Sequence, residues 1–180
     1  MCHPVGVTEP ALRFDPIAEA GRQWRLRWGE ETASPMMAAT SIMRVQQILM
    51  ARLNATVEPF GLTFPRYEAL MLLYLSRNGA LPLGKMGARL QVHRTSMTNL
   101  IDGLERAGYA RRSAHPTDRR TTMAEITERG REVAAQATDA LNATRFGVDP
   151  LDDAALETVV ATLERMRAEA DGFSSPSGGR

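Results

Sequence analysis

The stretch Arg94-Thr95-Ser96-Met97-Thr98-Asn99-Leu100-Ile101-Asp102-Gly103-Leu104-Glu105-Arg106-Ala107-Gly108 decides the fold. Met97, Leu100, Ile101 and Leu104 recur at helical spacing, so one face of a helix is buried. Gly108 stops that helix, because glycine readily takes the left-handed conformation that closes a helix end. The chain continues through Tyr109-Ala110-Arg111-Arg112 and the loop Ser113-Ala114-His115-Pro116-Thr117-Asp118-Arg119-Arg120 into the alternating run Thr121-Thr122-Met123-Ala124-Glu125-Ile126-Thr127. Two short strands joined by an arginine-rich tip are predicted. Upstream, residues 84–90 predict a short helix with Met86 and Leu90 inward, and Gln91-Val92-His93 a tight turn. Helix, turn and second helix make a helix-turn-helix, and the hairpin adds a wing. In such a head the second helix fits the major groove of DNA and the wing reaches the minor groove.

The charge distribution agrees with that reading. The formal net charge of the 180 residues is only +1. From Lys85 to Arg131, however, ten Lys and Arg face five Asp and Glu, a local surplus of +5, whereas the remainder holds twelve basic and sixteen acidic residues. A basic middle between acidic ends is the footprint of one DNA-facing lobe. Most charge runs are solvated helix faces; Arg111, Arg112, Arg119 and Arg120 clustered at one hairpin argue against that here.

Working outward, residues 1–14 read as a disordered tail and 15–60 as N-terminal dimerisation helices. One helix starts at Asp15-Pro16, a cap followed by proline, and carries Ile17, Ala20, Trp24 and Trp28 on one face. A second starts at Ser34-Pro35 and runs past Met43, Val45, Ile48, Leu49, Leu53 and Val57 to about Pro59. Residues 61–127 form the winged helix-turn-helix DNA-binding lobe. There Thr63 caps a helix bearing Tyr67, Leu70, Met71 and Tyr74, Asn78-Gly79 ends it, and Pro82 confines the extended piece 80–83 to a sheet edge. Residues 128–171 are C-terminal dimerisation helices. Thr127 caps the first, with Val133, Ala137, Ala140 and Leu141 inward; Asp149-Pro150 starts the second, with Leu156, Val159, Val160, Leu163 and Met166 on one face. Residues 172–180 are a Ser/Gly/Pro-rich tail expected to be disordered. The fold class is therefore mainly α with a small β-wing. The apolar stripes of the first and last helices lie outside the compact head and must be buried elsewhere. A homodimer with interlocked chain ends is the economical answer.

Several function classes are excluded. Cys2 is the only cysteine, so neither a disulfide framework nor a Cys-rich zinc site can form, and a reducing compartment fits. No apolar run reaches 18 residues and the N-terminus lacks the regions of a signal peptide, so the expected location is cytoplasmic. The three histidines and the scattered carboxylates form no catalytic constellation, phosphate loop or dinucleotide fingerprint. No enzyme activity, metal or cofactor is expected.

At this point the chain resembles the MarR family of bacterial transcriptional regulators. The residues that carry the likeness are Leu62-Thr63-Phe64-Pro65-Arg66-Tyr67-Glu68-Ala69-Leu70, Leu83-Gly84-Lys85-Met86-Gly87-Ala88-Arg89-Leu90 and Met97-Thr98-Asn99-Leu100-Ile101-Asp102-Gly103-Leu104-Glu105. Gly108-Tyr109-Ala110-Arg111-Arg112 and His115-Pro116-Thr117-Asp118-Arg119-Arg120, running into Ile126-Thr127-Glu128-Arg129-Gly130, complete it. Their order and spacing over about 34–170 are more specific than any one motif. The resemblance implies a homodimer that binds a palindromic operator in double-stranded DNA, most simply as a repressor, and is released by a small ligand or an oxidant. Gly103 stands where the family usually has arginine, and Pro82 where it usually has a capping Ser or Thr.

Arg94, Thr95, Ser96, Thr98 and Asn99 lie at the exposed start of the recognition helix. Arginine can bond guanine, asparagine adenine, and the hydroxyls phosphate or base edges. His93 either caps that helix or reaches a phosphate. In the wing, the resemblance makes Arg120 the residue inserted in the minor groove and Asp118 its buttress, with Arg119 as a substitute and His115 beside them; the alternative is a pair that only stiffens the hairpin. Arg111 and Arg112 either contact phosphates or shape the crevice above the wing. An effector pocket, for an anionic or aromatic small molecule, has Trp24, Trp28, Arg44, Tyr67, Glu68 and Arg112 as candidate walls. The tryptophan-bearing extra helix is similar to that of the urate-responsive branch of the family, but Leu100 stands where that branch carries a second arginine, which argues against urate. The plainer reading of Trp24 and Trp28, favoured over the pocket, is as anchors packing the extra helix onto the dimer. The competing function is a winged-helix protein-interaction module without operator binding; such modules usually lack wing arginines and a basic recognition helix.

Overall fold

A computed structural model describes residues 13–115, 117 and 120–171. Pro116, Asp118 and Arg119 of the expected wing tip, and the expected tails over 1–12 and 172–180, lie outside the described residues. The elements run α1 (Pro16–Trp28), α2 (Glu30–Val57), α3 (Phe64–Tyr74), β1 (Ala80–Pro82), α4 (Leu83–Leu90), α5 (Arg94–Arg106), β2 (Ala110–Ala114), β3 (Thr122–Ile126), α6 (Glu128–Ala143) and α7 (Asp153–Asp171). Single 3-10 turns occupy Glu58–Phe60 and Arg145–Gly147. The fold is mainly α with a three-stranded antiparallel wing, and no described helix is long and apolar enough to cross a membrane.

The chain divides into two compact units, one ending at Met50 and the other beginning at Ala51, so the boundary falls inside α2. In the first unit, Asp15 caps α1 by accepting from the Ile17 N–H at 2.9 Å. Gly21 is buried because a Cβ there would run into the Met37 side chain, and this notch lets α1 pack on α2. The second helix begins at Glu30, four residues before the Ser34-Pro35 start that the sequence suggested. Gly29, at φ 94°, turns the chain in a single residue. Pro35 then sits inside the helix, where it removes one backbone bond near the N-terminus; Glu30 and Glu31 in the first turn favour that end electrostatically.

In the second unit Leu70 and Leu73 of α3, Met86 of α4 and Met97, Ile101 and Leu104 of α5 are fully buried around one core, with Leu141 of α6. Thr63 occupies the cap position of α3, but its hydroxyl makes no capping bond; Asn54 accepts from the Phe64 N–H at 2.8 Å instead. The helix ends at Tyr74, short of Asn78-Gly79, and Gly79, at φ 67°, turns the chain into β1. Strand order is β1-β3-β2, which leaves Pro82 on an edge strand, where proline is tolerated. Gly108 does take positive φ (75°), and Thr127 caps α6 while donating to the Gly108 carbonyl at 2.7 Å. The last helix starts at Asp153 rather than at Asp149-Pro150, because Asp152 supplies the cap, accepting from the Ala155 N–H at 2.8 Å.

Candidate nucleic-acid interface

The recognition helix is α5. Its buried face is anchored in the core, which leaves the opposite side of its N-terminal end outward: Arg94, Thr95, Ser96 and Asn99 are exposed and Thr98 half-buried. His93 sits at the cap position, with Nδ1 accepting from the Thr95 N–H at 3.3 Å. Of the two roles open to it, the structure shows the cap. Before α5, Gln91 takes a left-handed conformation (φ 54°) that makes the turn from α4 tight.

A cleft of about 660 Å³ separates α5 from the wing. Leu83, Gly87 and Ala88 of α4 floor one side, Arg94 and Thr98 stand on the second, and Arg120 and Thr122 on the third. Gly87 is buried against the Val92 carbonyl, so a larger residue there would push α4 away from the turn. Arg120 is exposed and borders this cleft. His115 accepts from the Thr117 N–H at 3.3 Å. Asp118 and Arg119, the expected buttress and substitute, lie outside the described residues.

Arg111 and Arg112 are engaged within the protein. Arg111 pairs across the strands with Glu125 at 2.7 Å, at directly facing register positions. The bond to Glu125 holds Arg111 above its usual range, and the bond to Arg111 holds the Glu125 carboxyl below its own. Arg112 turns onto the recognition helix: its guanidinium meets Asp102 at 2.6 Å, Glu105 at 2.5 Å and the Thr98 carbonyl at 3.3 Å. Its backbone N–H adds a bond to Glu105 at 3.0 Å. Partial burial works against the charged guanidinium, but the bonds to Asp102 and Glu105 outweigh it and Arg112 stays above its usual range. The result is an ionic tie between the base of the wing and α5. Asp102 and Glu105, which sequence reasoning left out, are its acidic half. Their signal was spacing: three apart, they share one helix face.

Gly103 has a structural counterpart. The Arg66 guanidinium of α3 lies where a Cβ on Gly103 would be, so an arginine from the neighbouring helix fills that position. Pro82 stands at the cap of α4 and makes no side-chain bond.

The candidate pocket residues divide between the two units. In the first, Trp24 is half-buried and Trp28 exposed, their rings 4.3 Å apart, with Arg27 over Trp28 and Arg44 exposed. In the second, Tyr67 is buried and its hydroxyl bonds Thr138 at 3.0 Å, while Arg112 belongs to the tie just described. Glu68 is on the outer side of α3, yet the protein around it desolvates the carboxyl enough to push it above the ordinary range.

The sequence profile of the MarR family matches residues 62–122, which span α3 to the start of the last strand. A MarR family transcriptional regulator from Streptomyces coelicolor superposes with a TM-score of 0.73 at 45% identity, covering 79% of this chain and 99% of that one. A transcriptional repressor of Mycobacterium tuberculosis is 30% identical over 96 residues, which are 53% of this chain and 68% of the repressor. A second Streptomyces coelicolor regulator, solved in complex with DNA, shares the fold at 23% identity, with a TM-score of 0.66 over 83% of this chain and 94% of its own. The chain is a winged-helix transcriptional regulator. It belongs to the MarR family.

Proposed function

We propose that this regulator is a homodimeric repressor that binds a palindromic operator and lets go when a small effector binds. The observation that carries DNA reading is the exposed N-terminal end of α5, with Arg94, Thr95, Ser96 and Asn99, beside an open cleft that Arg94 and Thr98 line together with Arg120. Arg94 and Asn99 suit guanine and adenine edges in the major groove, and the hydroxyls suit phosphates. Arg120, with Asp118 and Arg119 at the tip, enters the minor groove; Arg111, Arg112 and His115 support the wing. Dimerisation is supported by apolar side chains left at the surface: Ile42, Met43, Val45 and Ile48 on α2, and Val159, Val160 and Met166 on α7. Two heads related by twofold symmetry would match a palindrome about one helical turn between half-site centres.

For the effector, each unit by itself supplies candidate groups for an anionic or aromatic molecule: Trp24, Trp28 and Arg44 in the first, and Tyr67, Glu68 and Arg112 in the second, where Arg112 would have to exchange its bonds to Asp102 and Glu105. A panel of small carboxylates and aromatics is expected to contain at least one compound that raises Tm and releases DNA; a panel without any removes this part of the proposal.

The test is fluorescence anisotropy on the chain's own promoter region against scrambled DNA, over a salt series. Selective binding with a steep salt slope is expected. Arg120→Ala is expected to weaken operator binding by about 10- to 100-fold, the scale of one good groove contact, with little loss of stability. Unaltered affinity in that variant would remove Arg120 from the interface.

A further inference from the structure

α4 borders two depressions. Gly84, Gly87 and Ala88 line the cleft beside α5 and the wing. The adjacent face carries Lys85 and Arg89, one turn apart, and borders a second depression of about 360 Å³ that Arg77, from the segment after α3, also lines. Three exposed cations therefore converge on one site, and no Asp or Glu is among its lining residues. None of the three is within ion-pair distance of a carboxylate among the described residues. Arg111 and Arg112, by contrast, are both neutralised by their own chain. Like charges gathered without a counter-charge repel one another, and an external polyanion relieves that repulsion.

We infer that this basic depression is a second DNA contact, which holds phosphates outside the half-site that α5 reads. The inference rests on the operator-binding reading above. Its physical basis is the geometry of the helix-turn-helix, in which the helix before the recognition helix crosses the phosphate backbone. One face of α4 borders the groove-reading cleft, so the neighbouring cationic face meets the backbone further along the same duplex. An open depression with three cations spread over it suits a run of phosphates rather than one enclosed anion. Leu75 at the rim, 75% exposed, is the feature that an acidic protein partner would use instead.

The full-length protein is titrated by anisotropy against two duplexes cut from its promoter. One ends at the palindrome; the other extends about ten base pairs beyond it on each side, one helical turn. The variant replaces Arg77, Lys85 and Arg89 by Gln, exposed changes that leave Tm and the helical circular dichroism intact. Wild type is expected to bind the long duplex more tightly than the short one. The triple variant is expected to lose about tenfold on the long duplex only, its salt slope falling by about 0.9 for each cation that met a phosphate. Lys85→Glu alone is expected to lose affinity for the long duplex in the same selective way. Equal behaviour of variant and wild type on both duplexes overturns the inference and leaves operator reading intact. Failure of the wild type to select either duplex over scrambled DNA overturns the operator reading itself. A variant that binds both duplexes normally but loses an acidic peptide probe that wild type binds assigns the site to a protein and overturns the inference.

Discussion

α5 and α7 have similar apolar spacing and opposite fates. Met97, Ile101 and Leu104 of α5 are exposed by 1% or less, whereas Val160 and Met166 of α7 are 57% and 56% exposed, and no described side chain of α7 is buried. The difference lies in what surrounds each stripe. α5 is enclosed by α3, α4 and the wing, all supplied by neighbouring sequence. α7 has no comparable enclosure among the described residues, and the proposed dimer would cover its stripe with a second copy. An amphipathic pattern states that a face is to be buried; it does not state by what.

The largest expected effect falls on the enclosed stripe. Leu104→Ala leaves a hole in a core that is otherwise closed, and is expected to cost ~2–5 kcal/mol in denaturant unfolding. The corresponding truncation on α7, Val159→Ala, is expected to change stability by less than about 0.5 kcal/mol at concentrations where the protein is monomeric. Equal losses at the two sites would erase the contrast. Val160→Asp tests it from the other side. A charge in a dimer seam is expected to give a monomer in sedimentation and to weaken operator binding about 100-fold, because desolvating an unpaired carboxylate costs several kcal/mol. A dimer that survives Val160→Asp places the seam elsewhere.

The smallest effects sharpen the comparison within the head, where two carboxylates titrate with opposite sign. The Glu68 carboxyl is raised by desolvation, so it contributes stability that is complete below the unfolded pKa and is lost as pH rises through the folded one. Glu68→Gln is therefore expected to raise Tm at pH 7 by about 2 °C or less and to change nothing at pH 3. The Glu125 carboxyl is lowered by its bond to Arg111, so its contribution is present above the unfolded pKa and is lost as pH falls through the folded one. Glu125→Gln is expected to lower Tm slightly at pH 7 and to be silent at pH 3. Thermal melts of both variants at the two pH values check the signs.

Much of the head was readable because its signals are local. Gly108 at positive φ, Thr127 as a cap, Met86 facing inward and Pro82 at a sheet edge all follow from chemistry within a few residues. Helix starts were less secure where two local signals competed. Ser34-Pro35 looks like a cap and first turn, but Gly29 had already redirected the chain; Asp149-Pro150 looks the same, but Asp152 makes the bond. The exposed turn of α5 was equally legible, since it is what remains when the buried face of a periodic helix is marked out.

Sequence alone thus determined the order of helices, the hairpin, the basic surplus of the head and the family. Tertiary structure alone decided how the charges are used. Arg112 is ten residues from Asp102 in the chain and 2.6 Å from it in space; Arg77 joins Lys85 and Arg89 only because the chain turns between α3 and α4. It also decided that Asn54 caps α3 and that Arg66 fills the notch at Gly103. Periodicity and caps act over one or two helical turns and are written in neighbouring residues. Ion pairing depends on a few ångströms between distant segments, a distance that exists only once the chain has folded.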